Sequence, residues 1–209
     1  DVADYVFATL KGPATLSSLF GKKRDLFVIH NMGRGCNSCT MWADGFNGLY
    51  PHIRDRASFV VSNQETPEQQ AEFAASRGWT FPMVSTQGNT FAADMGFTNA
   101  AGKPMPGVSA FQKVDGKIMR VSASGFNDTD EFCPVWRLFD LLPEGADGWR
   151  PQRSVGSGPP GRRCARTATQ HPQPLHMLDG QAVDLLHVDV PGLVRGFGQI
   201  RGAENVAAV

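Results

Sequence analysis

The chain has 209 residues, of which 41% are hydrophobic, including 14 phenylalanines and 4 tryptophans. This is enough apolar material for one well-filled globular core. The basic residues equal the acidic ones in number, so the chain lacks the basic excess that nucleic acids and membrane surfaces attract. No run approaches the roughly 18 apolar residues of a membrane span. We therefore expect a cytoplasmic protein with no nucleic-acid or membrane partner.

Apolar runs separated by turn residues predict strands along the first part of the chain. The runs at residues 26–30 and 58–62 are typical of strands buried on both faces of a sheet. The pair Asp115-Gly116, between the last two runs, is a strong hairpin signal. The predicted strands are residues 5–9, as an edge strand, 26–30, 58–62, 81–85, 107–113 and 117–122.

Helical signals fall between these strands and after them. Thr66 is a good N-cap, Pro67 suits the first helical position, and Gln69 completes a capping box. Gly78 is able to end the same helix in a left-handed conformation. The predicted helices are residues 15–20, a helix that starts at a cysteine pair, 66–77, 90–95 and 132–142. The apolar face of the second helix is predicted at Cys39, Trp42, Phe46 and Leu49.

The order of these elements predicts the fold class. Alternation of strand and helix indicates a parallel portion of sheet with helices on both faces. The closing hairpin adds antiparallel strands and makes the sheet mixed. The sequence therefore predicts an α/β fold with a mixed central sheet and helices on both faces, in a domain that spans residues 1–150.

The composition changes beyond residue 150. All lysines lie at or before Lys117, and Phe197 is the one aromatic residue after Trp149. Residues 154–161 are rich in Ser, Gly and Pro, which is typical of a linker. We predict that residues 151–209 form a linker and a poorly structured tail. Cys164 and the histidines of this segment have no metal-ligand spacing.

The pair Cys36 and Cys39 carries the predicted chemistry. It follows the strand 26–30 and opens an amphipathic helix, where unpaired N–H groups and the helix dipole stabilise a thiolate. Arg34 adds a nearby cation. Two intervening residues place Cys39 one turn further in, where a disulfide closes with little backbone movement. The pattern predicts Cys36 as the attacking thiolate and Cys39 as the resolving thiol. An inert pair, or a metal site that also uses Cys133, are the alternatives.

Strand, loop, C-x-x-C and helix in this order resemble the thioredoxin superfamily. In that superfamily a cis-proline precedes the first strand of the hairpin and lies against the two cysteines. Pro106, just before the strand that begins at residue 107, holds the matching position. The resemblance implies a cis peptide bond at Pro106 and a Met105 backbone whose N–H and C=O face an incoming peptide or thiol. An ordinary trans proline is the alternative.

Several short segments narrow the resemblance. They are Cys-Asn-Ser-Cys at 36–39, Trp-Ala-Asp at 42–44, Phe-Asn-Gly at 46–48, Gly-Trp-Thr-Phe-Pro at 78–82 and Pro-Gly-Val-Ser at 106–109. Together they are similar to the thioredoxin-like family known as domain of unknown function 899, in the peroxiredoxin-type branch. The likeness covers about residues 5–150. Peroxiredoxins carry Pro and Thr seven and three residues before the reactive cysteine, where this chain has Ile29 and Gly33. The missing hydroxyl disfavours peroxidase activity.

Three further side chains have two interpretations each. Cys133, at the start of the last predicted helix, is either a second resolving thiol or, more simply, a small apolar filler. His30, at a strand end near the cysteines, is either a proton shuttle or a satisfied core histidine. Trp42 either belongs to the core, as the other tryptophans do, or lines the approach to Cys36.

The sequence thus predicts a thioredoxin-like thiol–disulfide oxidoreductase that acts on a protein or small-molecule thiol or disulfide and needs no cofactor or metal. The predicted catalytic residues are Cys36 and Cys39, and the predicted substrate-binding residues are Met105, Pro106, Arg34 and Trp42. The alternatives are a non-catalytic binding module with its groove beside Pro106, and a peroxiredoxin-like thiol peroxidase.

Overall fold

The computed structural model describes residues 1–127 and 130–152. The strands in these ranges are β1 (Val6–Thr9), β2 (Gly12–Thr15), β3 (Asp25–His30), β4 (Ser58–Asn63), β5 (Met83–Ser85), β6 (Gly107–Val114) and β7 (Lys117–Gly125). The helices are α1 (Leu16–Leu19), α2 (Asn37–Arg56), α3 (Pro67–Arg77), α4 (Phe91–Asp94) and α5 (Pro134–Phe139). The predicted tail lies, from residue 153 onward, outside the described residues, and the domain boundary at residue 150 stays a prediction.

The strands form one mixed sheet in the order β2-β1-β5-β4-β3-β6-β7. β3, β4 and β5 are parallel neighbours, whereas β6 and β7 form an antiparallel hairpin that pairs with the other side of β3. The unit β3-α2-β4, followed by this hairpin and α5, has the strand order β4-β3-β6-β7 of a thioredoxin-like fold. The predicted α/β fold class is confirmed.

The amino-terminal hairpin differs from the prediction. β1 is not an edge strand, because it pairs with β2 on one side and with β5 on the other. β2 forms the edge, and its sequence Gly-Pro-Ala-Thr has no apolar alternation that would reveal a strand. Pro13 suits this place because an edge strand tolerates a residue without an N–H group.

Each face of the sheet buries its own apolar cluster, because successive side chains of a strand point to opposite faces. Val28 lies in the cluster beneath α1 and α4, whereas its neighbour Ile29 lies in the cluster beneath α2, α3 and α5. Helices therefore cover both faces, as predicted. The first cluster includes Phe7, Leu16, Phe20, Phe91 and Phe111, and the second includes Trp42, Phe46, Phe59, Trp79 and Trp136.

α3 begins and ends as its sequence predicts. The Thr66 hydroxyl accepts a hydrogen bond from the Gln69 N–H, and the Gln69 side chain accepts one from the Thr66 N–H. Gly78 ends the helix with φ at +68°, the left-handed conformation that a glycine adopts without strain.

α2 continues for 20 residues and passes through Pro51. Leu49, predicted on its buried face, is 52% exposed. Tyr50 and Ile53 continue the packed face instead, because a step of four residues after Phe46 follows the 3.6-residue period more closely than a step of three. Neither α2 nor any other helix in the described part of the chain is long and apolar enough to cross a membrane.

α5 is shorter than the predicted helix over residues 132–142. It begins at Pro134, in the position that proline favours, and has only six residues. Trp136 is buried in the second cluster, whereas Leu138 and Leu142 are exposed. The apolar spacing beyond Phe139 therefore does not correspond to a packed helical face.

Candidate redox site

Cys36 and Cys39 lie where β3 leads into α2, beside the carboxyl ends of the parallel strands. Cys36 is the N-cap of α2, and its sulfur accepts a hydrogen bond from the Cys39 N–H at 3.1 Å. Cys36 is half-buried, whereas Cys39 is only 2% exposed. Both are thiols, as is Cys133. Cys36 is thus partly exposed at the start of the helix, and Cys39 lies buried one turn behind it.

The Cys39 thiol is held in its protonated form. A hydrogen bond to Cys36, together with burial, raises the pKa of Cys39 well above the ordinary range of a thiol. The Met32 backbone acts in the opposite direction with a smaller effect. A thiol protected in this way is a poor nucleophile.

Asn31 holds the loop on both sides of Cys36. Its Oδ1 accepts the Gly33 N–H at 2.7 Å, and its Nδ2 donates to the Cys39 carbonyl at 3.3 Å. The Cys36 N–H donates to the Gly33 carbonyl at 3.1 Å, which closes a tight turn directly before the helix. The loop that leads to Cys36 is therefore held in place by hydrogen bonds.

Glu65, which follows β4, holds the same loop from the side. Its Oε1 accepts the Arg34 N–H at 3.0 Å and lies 3.5 Å from Nε of the Arg34 guanidinium. Asn63 in turn donates from Nδ2 to Glu65 Oε2 at 3.3 Å. Gly33 has φ at +90°, and a Cβ there would lie 3.1 Å from Glu65 Oε1. The Arg34 cation, predicted to act on Cys36, is thus shared with a carboxylate.

Thr40 completes the start of the helix. Its N–H and its hydroxyl both donate to the Cys36 carbonyl, at 3.1 Å and 2.9 Å. The sequence interpretation missed Thr40, Asn31 and Glu65. An Asn two residues before a Gly after a strand is an Asx-turn signal that points to Asn31. No local pattern points to Glu65, because its contact depends on β3 and β4 lying side by side.

The predicted cis-proline is wrong. Every peptide bond that the structure describes is trans, including the one before Pro106. The segment before β6 folds back on itself through a bridge between Thr98 and Pro104. Gly107 lies so close to the ring of Phe97 that a Cβ there would be 2.1 Å from Phe97 Cε1. This packing, rather than a cis bond, positions the start of β6.

The backbone of Met105 does not offer its N–H to a substrate, contrary to the expectation. That N–H donates to the Phe97 carbonyl at 2.8 Å, and the Pro106 carbonyl accepts the Phe126 N–H at 3.0 Å. The Met105 side chain is exposed. The groove beside Pro106 that the binding-module alternative required therefore lacks its predicted donor.

Trp42 belongs to the core and does not line an open approach to Cys36. It is 3% exposed, and its ring packs against Phe126 with 5.1 Å between centroids. Trp79 and Trp136 are buried in the same cluster. The Trp42 ring thus packs in the apolar cluster between α2 and the sheet.

His30 is a core histidine rather than a proton shuttle. Its ring stacks on Phe97 with 3.9 Å between centroids, and its Nε2 lies 2.9 Å from the Ser109 hydroxyl. Burial, with a smaller contribution from Arg120, lowers the pKa of His30 from 6.5 to about 3. The imidazole therefore stays neutral across the physiological range and is not available to carry a proton to or from the thiols.

Cys133 lies in the same apolar cluster as Cys39 and is buried there. Burial raises its pKa above the ordinary range of a thiol, which agrees with the filler interpretation. In residues 1–127 and 130–152, no three His, Cys, Asp or Glu side chains are placed to hold a metal ion. The metal alternative that joins Cys133 to Cys36 and Cys39 therefore has no support in this part of the chain.

Comparison with known proteins gives both a family and structural relatives. The family described as bacterial protein of unknown function (DUF899) matches residues 2–156. The chain is similar to the peroxidoxin BcpB of Mycobacterium tuberculosis, at 27% identity and a TM-score of 0.48, over 59% of this chain and 82% of that one. It is also similar to peroxiredoxin Q of Xanthomonas campestris, at 18% identity and a TM-score of 0.49, over 58% and 79%. A search of curated proteins gave no significant match.

Proposed function

This chain belongs to the DUF899 family of bacterial proteins of unknown function, and we propose that it is a thiol–disulfide oxidoreductase. The observation that supports this most directly is the 3.1 Å hydrogen bond from the Cys39 N–H to the Cys36 sulfur at the start of a 20-residue helix. Helix N–H groups and the positive end of the dipole stabilise an anionic sulfur at this place.

The reaction uses the two sulfurs in sequence. The Cys36 thiolate attacks one sulfur of a substrate disulfide, forms a mixed disulfide and releases the other sulfur as a thiolate. Cys39 then loses its proton and attacks the Cys36 sulfur, which forms the Cys36–Cys39 disulfide and releases the second substrate sulfur as a thiolate. Two electrons pass from the cysteine pair to the substrate, and a dithiol reductant restores the pair.

The loop before Cys36 favours disulfide exchange over peroxide reduction. The resemblance to peroxiredoxins implies a hydroxyl donor three residues before the reactive cysteine, and Gly33 has no side chain to supply it. The guanidinium of Arg34, which would have to bind the peroxide, is paired with Glu65.

Alkylation of the separate cysteines tests the proposal. At neutral pH, iodoacetamide should modify Cys36 at least about tenfold faster than Cys39, since only Cys36 is both accessible and stabilised as a thiolate. Mass spectrometry after timed quenching measures both rates. Cys133→Ser is the matched control and should leave the rate at Cys36 unchanged, because Cys133 is 4% exposed and is not one of the two cysteines of the pair.

A second measurement follows turnover with a disulfide substrate and a dithiol. Cys36→Ser should abolish reduction, and Cys39→Ser, reduced beforehand and mixed with the disulfide in the absence of the dithiol, should stop after one mixed disulfide per chain. Equal, slow alkylation of Cys36 and Cys39 that accelerates only at mildly alkaline pH would contradict the proposal. Undiminished reduction by Cys36→Ser would contradict it as well.

A further inference from the structure

We infer that Asn31 is a positioning residue, which holds Cys39 where it resolves mixed disulfides formed on Cys36. The inference rests on the proposed thiol–disulfide exchange and assigns to Asn31 the second of its two steps. Asn31 acts through the backbone, because its hydrogen-bond partners are the Gly33 N–H and the Cys39 carbonyl, at 2.7 Å and 3.3 Å.

Asn31 is itself firmly anchored. Its own N–H donates to the Ser62 carbonyl at 2.9 Å, at the end of the neighbouring strand β4. The Ser62 hydroxyl in turn donates to the Ile29 carbonyl at 3.0 Å. Asn31 is only 8% exposed, so water cannot readily replace the two bonds that its amide makes. The Asn31 amide therefore fixes the loop before Cys36 relative to the sheet.

The two bonds of the Asn31 amide reach both sides of the reactive sulfur. One ends on the turn before Cys36, and the other ends on the backbone of Cys39 in the first turn of α2. Glu65, by contrast, binds only the Arg34 side of the loop. The distance between the two cysteine backbones is thus restrained by Asn31, in addition to the helix itself.

This restraint matters for the resolving step. In that step the Cys39 sulfur must approach the Cys36 sulfur in line with the bond that breaks, and the rate depends on the effective concentration of one sulfur at the other. A loop that moves relative to the helix lowers that concentration. The first attack by Cys36 on an external disulfide has no such requirement.

The experiment separates the two steps with the aromatic disulfide 5,5′-dithiobis(2-nitrobenzoate). The Cys36 thiolate attacks it, forms a mixed disulfide and releases one coloured aromatic thiolate. Attack by Cys39 on the Cys36 sulfur then releases the second one and leaves the Cys36–Cys39 disulfide. Two electrons reduce one aromatic disulfide to two thiolates. All proteins carry Cys164→Ser, because the thiol of Cys164 would add a thiolate release of its own. Stopped-flow absorbance then resolves both releases, and Cys39→Ser identifies the second because it stops after the first.

Two variants remove the restraint to different degrees. Asn31→Ala removes both bonds, whereas Asn31→Ser keeps an oxygen that is able to accept the Gly33 N–H but is too short to reach the Cys39 carbonyl. Both should slow the second release roughly ten- to a hundredfold, since small misplacements of reacting groups have effects of that size. The rate of the first release should change by less than about threefold, because thiolate exchange with an external disulfide depends on the access and basicity of Cys36 alone.

Asn47 provides the matched control. Its amide makes the same pair of backbone bonds elsewhere, since it accepts the Thr80 N–H at 2.8 Å and donates to the Gly78 carbonyl at 3.1 Å. Asn47→Ala should lower the thermal midpoint of unfolding but leave the second release at the wild-type rate. A matching slowdown in Asn47→Ala would mean that general destabilisation is the cause, and it would overturn the inference.

The outcomes distinguish this inference from the proposed function. A wild-type protein that releases no second thiolate defeats the proposed exchange, and the role of Asn31 falls with it. Alternatively, the wild-type protein releases both thiolates, and Asn31→Ser releases the second thiolate as fast as the wild type does. That result leaves the proposed exchange intact and overturns the role of Asn31. Should Asn31→Ala fail to fold, the serine variant alone decides.

Discussion

His30 connects the stability of this protein to pH through one buried ring. The ring stacks on Phe97 and meets the Ser109 hydroxyl, and burial with Arg120 lowers its pKa from 6.5 to about 3. Between these two values the unfolded chain binds a proton that the folded chain does not. His30 therefore makes the folded state less stable as the pH falls from 6.5 toward 3.

Replacement of this ring should remove that part of the pH dependence. At pH values below the pKa of the unfolded histidine, His30 should lower the free energy of unfolding by about 1.4 kcal/mol for each unit by which the pH falls. His30→Gln should lack this contribution to the slope. Urea unfolding between about pH 7 and about pH 5 measures it. Carboxylates add a slope of the same sign, but they are common to both proteins and cancel in the difference.

The control for this measurement is His52, which is exposed on α2. His52→Gln should keep the wild-type slope, because this side chain is exposed and takes no part in the buried contacts of His30. A His30→Gln protein with the full wild-type slope would show that the buried ring is protonated in the folded state.

The contacts at the start of α2 differ in how far apart their residues lie in sequence. Cys36 and Cys39 follow from local spacing, and the structure places both at the helix start where spacing put them. Glu65 reaches the same loop from the end of β4, and its contact with Arg34 joins residues that are 31 positions apart in sequence. Such a contact exists only after the strands have paired.

At the scale of single elements, α3 is stabilised by interactions within its own sequence. Thr66→Ala removes the hydroxyl that accepts the Gln69 N–H, and it should lower the free energy of unfolding by about 1 kcal/mol. Chemical denaturation measures the loss. Thr66→Ser is the comparison, because it keeps a hydroxyl that is able to accept the Gln69 N–H. A loss as large in Thr66→Ser would show that the cap is not the source.

Elements with local end signals agree best with their predicted bounds. α3 starts at Pro67 and ends before Gly78, because both signals act on the adjacent backbone. β2 was missed because its edge position, and not its apolar content, makes it a strand. α5 ends early since the apolar residues after Phe139 have no surface to pack against in the described part of the chain.

At the scale of the whole molecule, Phe91 joins parts of the chain that are distant in sequence. It is fully buried, and its ring contacts the rings of Tyr5, Phe7, His30 and Phe111, with centroids 5.0 to 6.1 Å away. Tyr5 directly precedes β1, Phe7 lies on β1, His30 on β3 and Phe111 on β6. One side chain thus holds three strands against α4.

Truncation of this ring should therefore be severe. Phe91→Ala should lower the free energy of unfolding by about 3–5 kcal/mol, because it loses the transfer free energy of the ring and leaves a cavity. Urea titration at constant m-value measures the change. Leu49→Ala, on the exposed side of α2, should change it by less than about 0.5 kcal/mol. A loss below about 1 kcal/mol for Phe91→Ala would mean that the cluster closes over the gap.

The sequence by itself determined the order of strands and helices, the mixed α/β class, the cap of α3 and the place of the two cysteines. These follow from periodicity and end signals, which act over a few residues. Only the tertiary structure decided the conformation at Pro106, the burial of Trp42 and His30, and the hold of Glu65 on the loop before Cys36. Each of these depends on what a distant segment brings alongside, and no local pattern carries that information.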